Sequence, residues 1–115
     1  MLKLNQVSLI GNLTRDPELK YIDSGKAVCE FGLALNHSRK VGSDWKDEPI
    51  FIDVECWEAV ADRVSENMSK GQNVLVLGRL KFEQWEDANS GAKRSRIKVV
   101  AYSVMANRTG EGPSS

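Results

Sequence analysis

Residues 51–57 alternate along the chain. Ile52, Val54 and Cys56 are apolar and fall on one side of an extended backbone, while Phe51, Asp53, Glu55 and Trp57 fall on the other. A period of two is the signature of a strand, so the first set forms a core face. The second set is not an ordinary solvated face, because two large aromatics flank two carboxylates. Rings placed this way suit a flat partner, and stacking a nucleobase on one contributes about 1–3 kcal/mol. They suit equally a covering loop or a subunit interface, where aromatics are enriched.

The same alternation recurs elsewhere. Residues 5–13 put Val7, Leu9, Gly11 and Leu13 on one side and Ser8, Ile10 and Asn12 on the other. Gly11 inside a strand marks a bend or bulge, and Pro17, which cannot donate to a ladder, breaks the run. Residues 18–22 read as a short strand before the turn Asp23-Ser24-Gly25. Residues 27–35 place Ala27, Cys29, Phe31, Leu33 and Leu35 on a core face. Residues 36–48 are polar, contain Gly42 and predict a flexible excursion.

After residue 57 the period lengthens. Val60, Ala61, Val64 and Met68 recur at three and four residues, which predicts an amphipathic helix of about three turns. Gly71 is its expected stop, with Lys70 complementing the dipole. Residues 72–85 form a long strand, with Val74, Val76, Gly78, Leu80 and Phe82 toward the core and Leu75, Leu77, Arg79, Lys81, Glu83 and Trp85 outward. Asn89-Ser90-Gly91 predicts a hairpin turn. In the last strand, residues 94–105, Ile97, Val99 and Ala101 share one face and Arg96, Lys98, Val100 and Tyr102 the other.

The pattern therefore predicts an all-β protein, a five-stranded OB-fold barrel with one short helix between strands 3 and 4. A ferredoxin-like fold needs a second helix, and an immunoglobulin-like sandwich needs about seven strands and none. The domain is expected over residues 1–106, with a short disordered tail over 107–115, where apolar content is low.

Composition narrows the class. A chain of 115 residues supports one core. No apolar run approaches the roughly 18 residues of a membrane span, and residues 1–6 lack a signal-peptide hydrophobic region. The expected setting is cytoplasmic, with no membrane partner. Sixteen basic and 16 acidic residues cancel, which argues against binding by phosphate contacts alone and makes the placement of charge decisive. Cys29 and Cys56 fall on apolar faces and read as buried, reduced thiols.

Candidate chemistry points away from catalysis. Asp53 and Glu55 could act as acid, base or metal ligands, but His37 is the sole histidine and no triad, metal motif or phosphate loop accompanies them. No enzyme activity, catalytic residue, metal or cofactor is expected. Trp45 lies in a basic segment with Arg39, Lys40 and Lys46, either as a contact to an extended ligand or folded back on the domain. Trp85 shares a face with Arg79 and Lys81, and the hairpin brings Lys93, Arg94 and Arg96 alongside. An aromatic within a basic strip suits single-stranded nucleic acid, with rings for stacking and cations for phosphates; the alternative is a Trp85 that caps the hairpin. Residues 6–10 are apolar on both faces and Leu75 and Leu77 point outward, so Leu4, Gln6, Val7, Ser8, Ile10, Leu75 and Leu77 are candidates for a subunit interface.

These residues also carry a resemblance. The block Gly11-Asn12-Leu13-Thr14-Arg15-Asp16-Pro17-Glu18-Leu19 is specific to it, and Ser24-Gly25-Lys26-Ala27-Val28, Phe31-Gly32-Leu33-Ala34-Leu35-Asn36, residues 51–57, Lys70-Gly71, residues 74–80 and Trp85 continue it. The chain resembles the bacterial single-stranded DNA-binding proteins over residues 5–105. The resemblance implies an OB-fold that binds single-stranded DNA (ssDNA) in replication, recombination and repair, is nucleoid-associated and assembles as a homotetramer. It implies that Phe51, Trp57 and Trp85 occupy base-stacking positions. A further family aromatic, expected near residues 37–39, is absent, and Trp45 lies nearby. Recruitment of replication and repair proteins through an acidic tip is not expected of this chain, whose last ten residues hold one acidic residue, Glu111, and no aromatic. The alternatives are an OB-fold RNA-binding protein or a primosome accessory protein acting mainly as an interaction module.

Overall fold

The computed structural model describes residues 1–107; the expected tail over 107–115 lies, from residue 108 onward, outside the described residues. The elements in chain order are β1 (Val7–Leu13), β2 (Glu18–Tyr21), β3 (Ala27–Leu35), β4 (Ser38–Val41), β5 (Asp44–Asp47), β6 (Ile50–Trp57), α1 (Glu58–Asn67), β7 (Asn73–Glu86) and β8 (Lys93–Ala106). The five long strands β1, β3, β6, β7 and β8, with α1 between the third and fourth of them, make the expected OB-fold barrel.

The main sheet runs β1-β7-β8-β6-β3-β2, and β1 also pairs with β3, which closes the barrel. The free edge of β3 is divided: its first half takes β2, while Leu33 and Ala34 take β1. All pairings are antiparallel except β6 with β8, a short parallel ladder of Val54 opposite Val99 and Glu55 opposite Val100. Inside, Phe31, Leu33, Val54, Val74, Val76 and Val99 are buried, and Ala61 and Val64 of α1 cover one end. Cys29 and Cys56 face each other across β3 and β6 as buried free thiols. Among the described residues no helix is long and apolar enough to cross a membrane.

Two glycines allow the closure. A side chain at Gly11 would come 2.5 Å from the Ala34 carbonyl oxygen, where β1 crosses β3. One at Gly78 would come 2.2 Å from the Val100 carbonyl oxygen. There the register slips, with Leu77 opposite Ser103 but Gly78 opposite Ala101, so Tyr102 is left over in a bulge. The bulge inverts the face of β8: Val99 and Ala101 are buried before it and Val104 after it.

Three expectations are corrected. Leu80 and Phe82 were placed in the core by alternation, yet they are 42% and 61% exposed. Leu80 stands at the rim, opposite the buried Val99, and from Phe82 onward β7 and β8 pair only with each other, so that face opens to solvent. The helix ends at Asn67, and Met68 is already extended. Gly71, at φ 90°, is not its cap but shapes the following turn, donating its N–H to the Leu13 carbonyl at 2.8 Å. Lys70 likewise lies outside the last helical turn, its backbone N–H bound to Asp16. Finally, the excursion over residues 36–48 is an exposed hairpin, with Lys40 opposite Trp45 and Gly42 at φ 65° in the turn. The Asn89-Ser90-Gly91 turn forms as expected, with the Gly91 N–H bound to the Asp87 carbonyl at 2.8 Å.

The corrected core gives a direct contrast. Phe31→Ala, in the barrel, is expected to destabilise by about 3–5 kcal/mol, whereas Phe82→Ala, on the projecting hairpin, should stay within about 0.5 kcal/mol of the parent. Denaturant unfolding of the two variants checks this.

Candidate nucleic-acid interface

The outer face of the barrel is built from four strands. β3 contributes Val28, Glu30, Gly32 and Ala34, and β6 contributes Trp57, Glu55, Asp53 and Phe51 directly opposite them in that order. β8 contributes Arg96 and Lys98, and β7 sets Glu83 and Lys81 opposite these, with Trp85 opposite Arg94 farther along the hairpin. Phe51 is 68% exposed and Trp85 47% exposed, so both present ring area to solvent; Trp57 is half-buried. Alternation thus correctly put the three aromatics on one outer face.

Between them lies an ion network. Lys98 is only 2% exposed. Its ammonium donates to Glu55 Oε1 and, at 2.7 Å, to Glu83 Oε2, with Glu30 Oε2 at 3.5 Å. Arg96 donates from Nε to Glu83 at 2.8 Å, from Nη1 to Asp53 at 2.8 Å and from Nη2 to Glu30 at 3.2 Å. Its guanidinium carbon also stands 5.9 Å from the centre of the Trp85 ring, a cation–π distance. Lys81 approaches Glu55 and Arg15 approaches Asp53, each at 3.8 Å. Glu55 accepts the indole N–H of Trp57 at 2.7 Å.

These contacts fix the charge states. Hydrogen bonds from Lys98 and then Arg96 pull the Glu83 carboxyl down to about 2. Burial pushes the Glu55 carboxyl up, but bonds from Lys98 and Trp57 outweigh it and the group stays below its ordinary value. Burial likewise opposes the charge on Lys98, and the bonds to Glu55 and Glu83 overcome it, so its titration moves up. Glu55, Glu83, Arg96 and Lys98 are therefore all held in their charged forms, and their ion pairs leave the centre of the face largely self-neutralised.

The expected binding residues divide accordingly. Arg96 and Lys81 engage carboxylates within the network, Arg94 pairs with Asp87 at 3.4 Å, and Arg39 pairs with Glu48. Arg79, Lys93 and Lys40 have no ion pair among the described residues. Trp45, 68% exposed, sits with Arg39 and Lys40 on the β4–β5 hairpin, which among the described residues makes no strand pairing with the barrel. A cleft of about 310 Å³ opens beside Trp57, walled by Ile22, Val28, Glu30 and Lys98, and another of about 280 Å³ lies beside Phe51, Asp53 and Arg96. Lys98, Glu30 and Glu83 were not singled out from the sequence. The available signal was that Lys98 and Glu83 both fall in the outward set of their strands; in the ladder Lys98 stands opposite Lys81 and Glu83 opposite Arg96, so the two meet on the diagonal. Among the described residues no three His, Cys, Asp or Glu side chains are grouped to hold a metal ion.

A second surface lies on the outer side of β1, β7 and β8. Ser8 stands opposite Leu77 and Ile10 opposite Leu75, which in turn faces Met105. Ile10 is 64% exposed and Met105 48% exposed. Leu4 and Gln6 are exposed and precede β1, but Val7 packs against the core instead of joining this patch. Met105 was not anticipated, because the bulge at Tyr102 shifts its face.

Comparison with known proteins agrees with this architecture. Residues 4–106 match the model of the Single-strand binding protein family. The Single-stranded DNA-binding protein of Treponema pallidum (strain Nichols) is 40% identical over 105 residues, which cover 91% of this chain and 58% of that protein. The Single-stranded DNA-binding protein of Borreliella burgdorferi is 39% identical over 110 residues, covering 96% of this chain and 74% of its own length. Among solved structures, a chain of the Plasmodium falciparum SSB complex with ssDNA superposes with a TM-score of 0.84 at 21% identity, over 93% of this chain and 97% of that one. At that identity the likeness is one of fold.

The network sets an acid limit. Glu83 is held well below its ordinary value of 4.5, so the stability it contributes is complete above about pH 4.5 and is lost as the pH falls toward 2. Glu83→Gln is expected to flatten the decline in melting temperature between pH 5 and about 2 relative to the parent protein.

Proposed function

Because the chain belongs to the single-strand binding protein family, we propose that it binds and protects ssDNA without sequence preference, in replication, recombination and repair. The observation that carries this reading is the set of Phe51, Trp57 and Trp85 on one outer face, in a chain whose curated relatives are single-stranded DNA-binding proteins. Aromatic faces stack on any base, so the binding they give is sequence-tolerant. Arg79, Lys81, Lys93, Arg94 and Arg96 guide the backbone beside Trp85, and Trp45 with Arg39 and Lys40 extends the path onto the β4–β5 hairpin. Residues 1–106 form the binding domain, and the setting is the cytoplasm, on the nucleoid. The chain spans 58% of the Treponema pallidum relative, so these roles are proposed for this domain.

Assembly as a homotetramer completes the proposal. The apolar patch of Ile10, Leu75, Leu77 and Met105, with Leu4, Gln6 and Ser8 at its margin, is the surface offered to a second copy. An interface of this kind removes from water the one row of β1 that the barrel leaves outside.

Titration with oligo-dT, followed by tryptophan fluorescence, tests binding, and competition with oligo-rU separates DNA from RNA. Trp85→Ala should weaken oligo-dT binding by about 1–3 kcal/mol with little change in melting temperature. Arg79→Ala should reduce the slope of log K against log salt by about 0.7, the loss of one phosphate contact on a single strand. A Trp85→Ala protein that unfolds early but binds normally would show that the ring is structural. Light scattering tests assembly: the parent should be a tetramer at micromolar concentration, and Ile10→Glu should lower the mass while keeping the far-ultraviolet spectrum. A monomeric parent removes the interface.

A further inference from the structure

Trp57 occupies an unusual position. It is the last residue of β6 and the residue before α1, with extended backbone and no side-chain cap for the helix. Glu58 follows at φ 54°, in the left-handed region that a side chain rarely adopts. The chain turns sharply here, so the strand pairing that orients Phe51 ends at Trp57, whose backbone is the last of β6 to pair with β3, opposite Val28. The ring has one polar atom, and buried or half-buried indole N–H groups usually find a partner. Here the partner is Glu55 Oε2 at 2.7 Å, two residues back on the same face. That distance is at the short end of the range for a charge-assisted bond.

Glu55 is itself held. Its side chain is 7% exposed, its other oxygen receives Lys98, and Lys81 lies 3.8 Å from the oxygen that takes the indole. Lys98 is in turn fixed by Glu83. A chain of three bonds therefore runs from β7 through β8 and β6 to the ring. The arrangement selects one orientation of the indole, which lines the cleft with Ile22 and Val28.

We propose that Glu55 is a positioning residue for ssDNA: braced by Lys98, it holds the Trp57 indole in its stacking orientation before any strand arrives. This inference rests on the reading above that Trp57 stacks on a base. A ring already held loses little freedom on binding, and freeing such a side chain weakens affinity by about 2- to 10-fold. Glu55 makes no contact with the base; it acts through the ring.

The test compares proteins that differ only in the acceptor. Glu55→Leu with Lys98→Met removes the acceptor and the buried charge together and so leaves no buried ion unpaired: Glu30 and Glu83 keep Arg96, and Lys81, which loses Glu55, is partly exposed to solvent. Glu55→Gln with Lys98→Met restores a neutral acceptor in the same background. The readouts are oligo-dT affinity and the Trp57 indole N–H resonance, assigned by its loss in Trp57→Phe. The Leu variant is expected to move that resonance toward its solvent-exposed position, to lose its exchange protection and to bind about 2- to 10-fold more weakly. The Gln variant is expected to recover most of both. Equal affinity of the two variants, or an unmoved resonance in the Leu variant, overturns the proposal. If the Leu variant does not fold, Glu55→Gln alone decides: the weaker acceptor should shift the Trp57 resonance and leave the other two indole signals in place, and no shift overturns the proposal. Trp57→Ala is the separate control, because unchanged affinity there means that Trp57 does not stack.

Discussion

A lysine that is 2% exposed has to be satisfied inside the protein, and Lys98 sets the terms for the whole outer face. Burying an ammonium is unfavourable by several kcal/mol unless carboxylates surround it. They come from three strands: Glu30 from β3, Glu55 from β6 and Glu83 from β7. The location matters as much as the number. The parallel junction of β6 and β8 pairs only Val54 with Val99 and Glu55 with Val100, as short a ladder as the β1–β3 closure and shorter than the others of the barrel. Lys98 adjoins that ladder in sequence, and its partner Glu55 is in it. Ion pairs thus span one of the two seams that backbone pairing covers least. Apolar residues of similar volume could stabilise the seam as well, but they would not demand this one arrangement of strands.

The same network shapes the proposed function. A face lined with Arg96, Lys98 and Lys81 looks basic in sequence, yet each of these cations already has a carboxylate. A phosphate arriving there competes with Asp53, Glu30 and Glu83 and does not meet a vacant charge. Electrostatic attraction is left mainly to Arg79, Lys93 and Lys40, around the margin. On the proposed reading, stacking therefore supplies the larger part of the affinity at the centre, and counterion release contributes at the edges. A chain with zero formal net charge fits that division.

How much of this was legible in the sequence follows from what alternation can say. It identifies which residues share a face, and so it grouped Phe51 with Trp57 and Arg79 with Trp85, and it put Val54 and Val76 inside. It does not say whether a face is covered. Leu80 and Phe82 continue the inward pattern of Val74 and Val76, but Leu80 lies at the rim of the barrel and Phe82 beyond it, so they emerge into solvent. Nor does it register a bulge: one extra residue at Tyr102 was enough to move Met105 outward. The β4–β5 hairpin escaped notice because neither of its faces is apolar, leaving only Gly42 to mark the turn. The partners of Lys98 lie 15 to 68 positions away, at Glu83, Glu55 and Glu30, and local pattern has no access to such pairs.

The projecting half of β7 and β8 shows why the network reaches beyond the seam. A two-stranded ribbon is marginally stable when isolated, and this one has Leu80, Phe82 and Ile97 exposed on one face, so it gains little there from burial. Its other face supplies the anchorage. Glu83 binds Arg96 across the ribbon and Lys98 at its base, while Arg96 reaches Asp53 and Glu30 on the barrel and stands over Trp85. Trp57 is tied to the same network from the opposite side, through Glu55. The two rings belong to different elements, one at a strand end and one on an arm outside the barrel. The strand ladders place each ring, and the ions between them tie the two supports together, so a residue that touches neither ring, Lys98, links the elements that carry both.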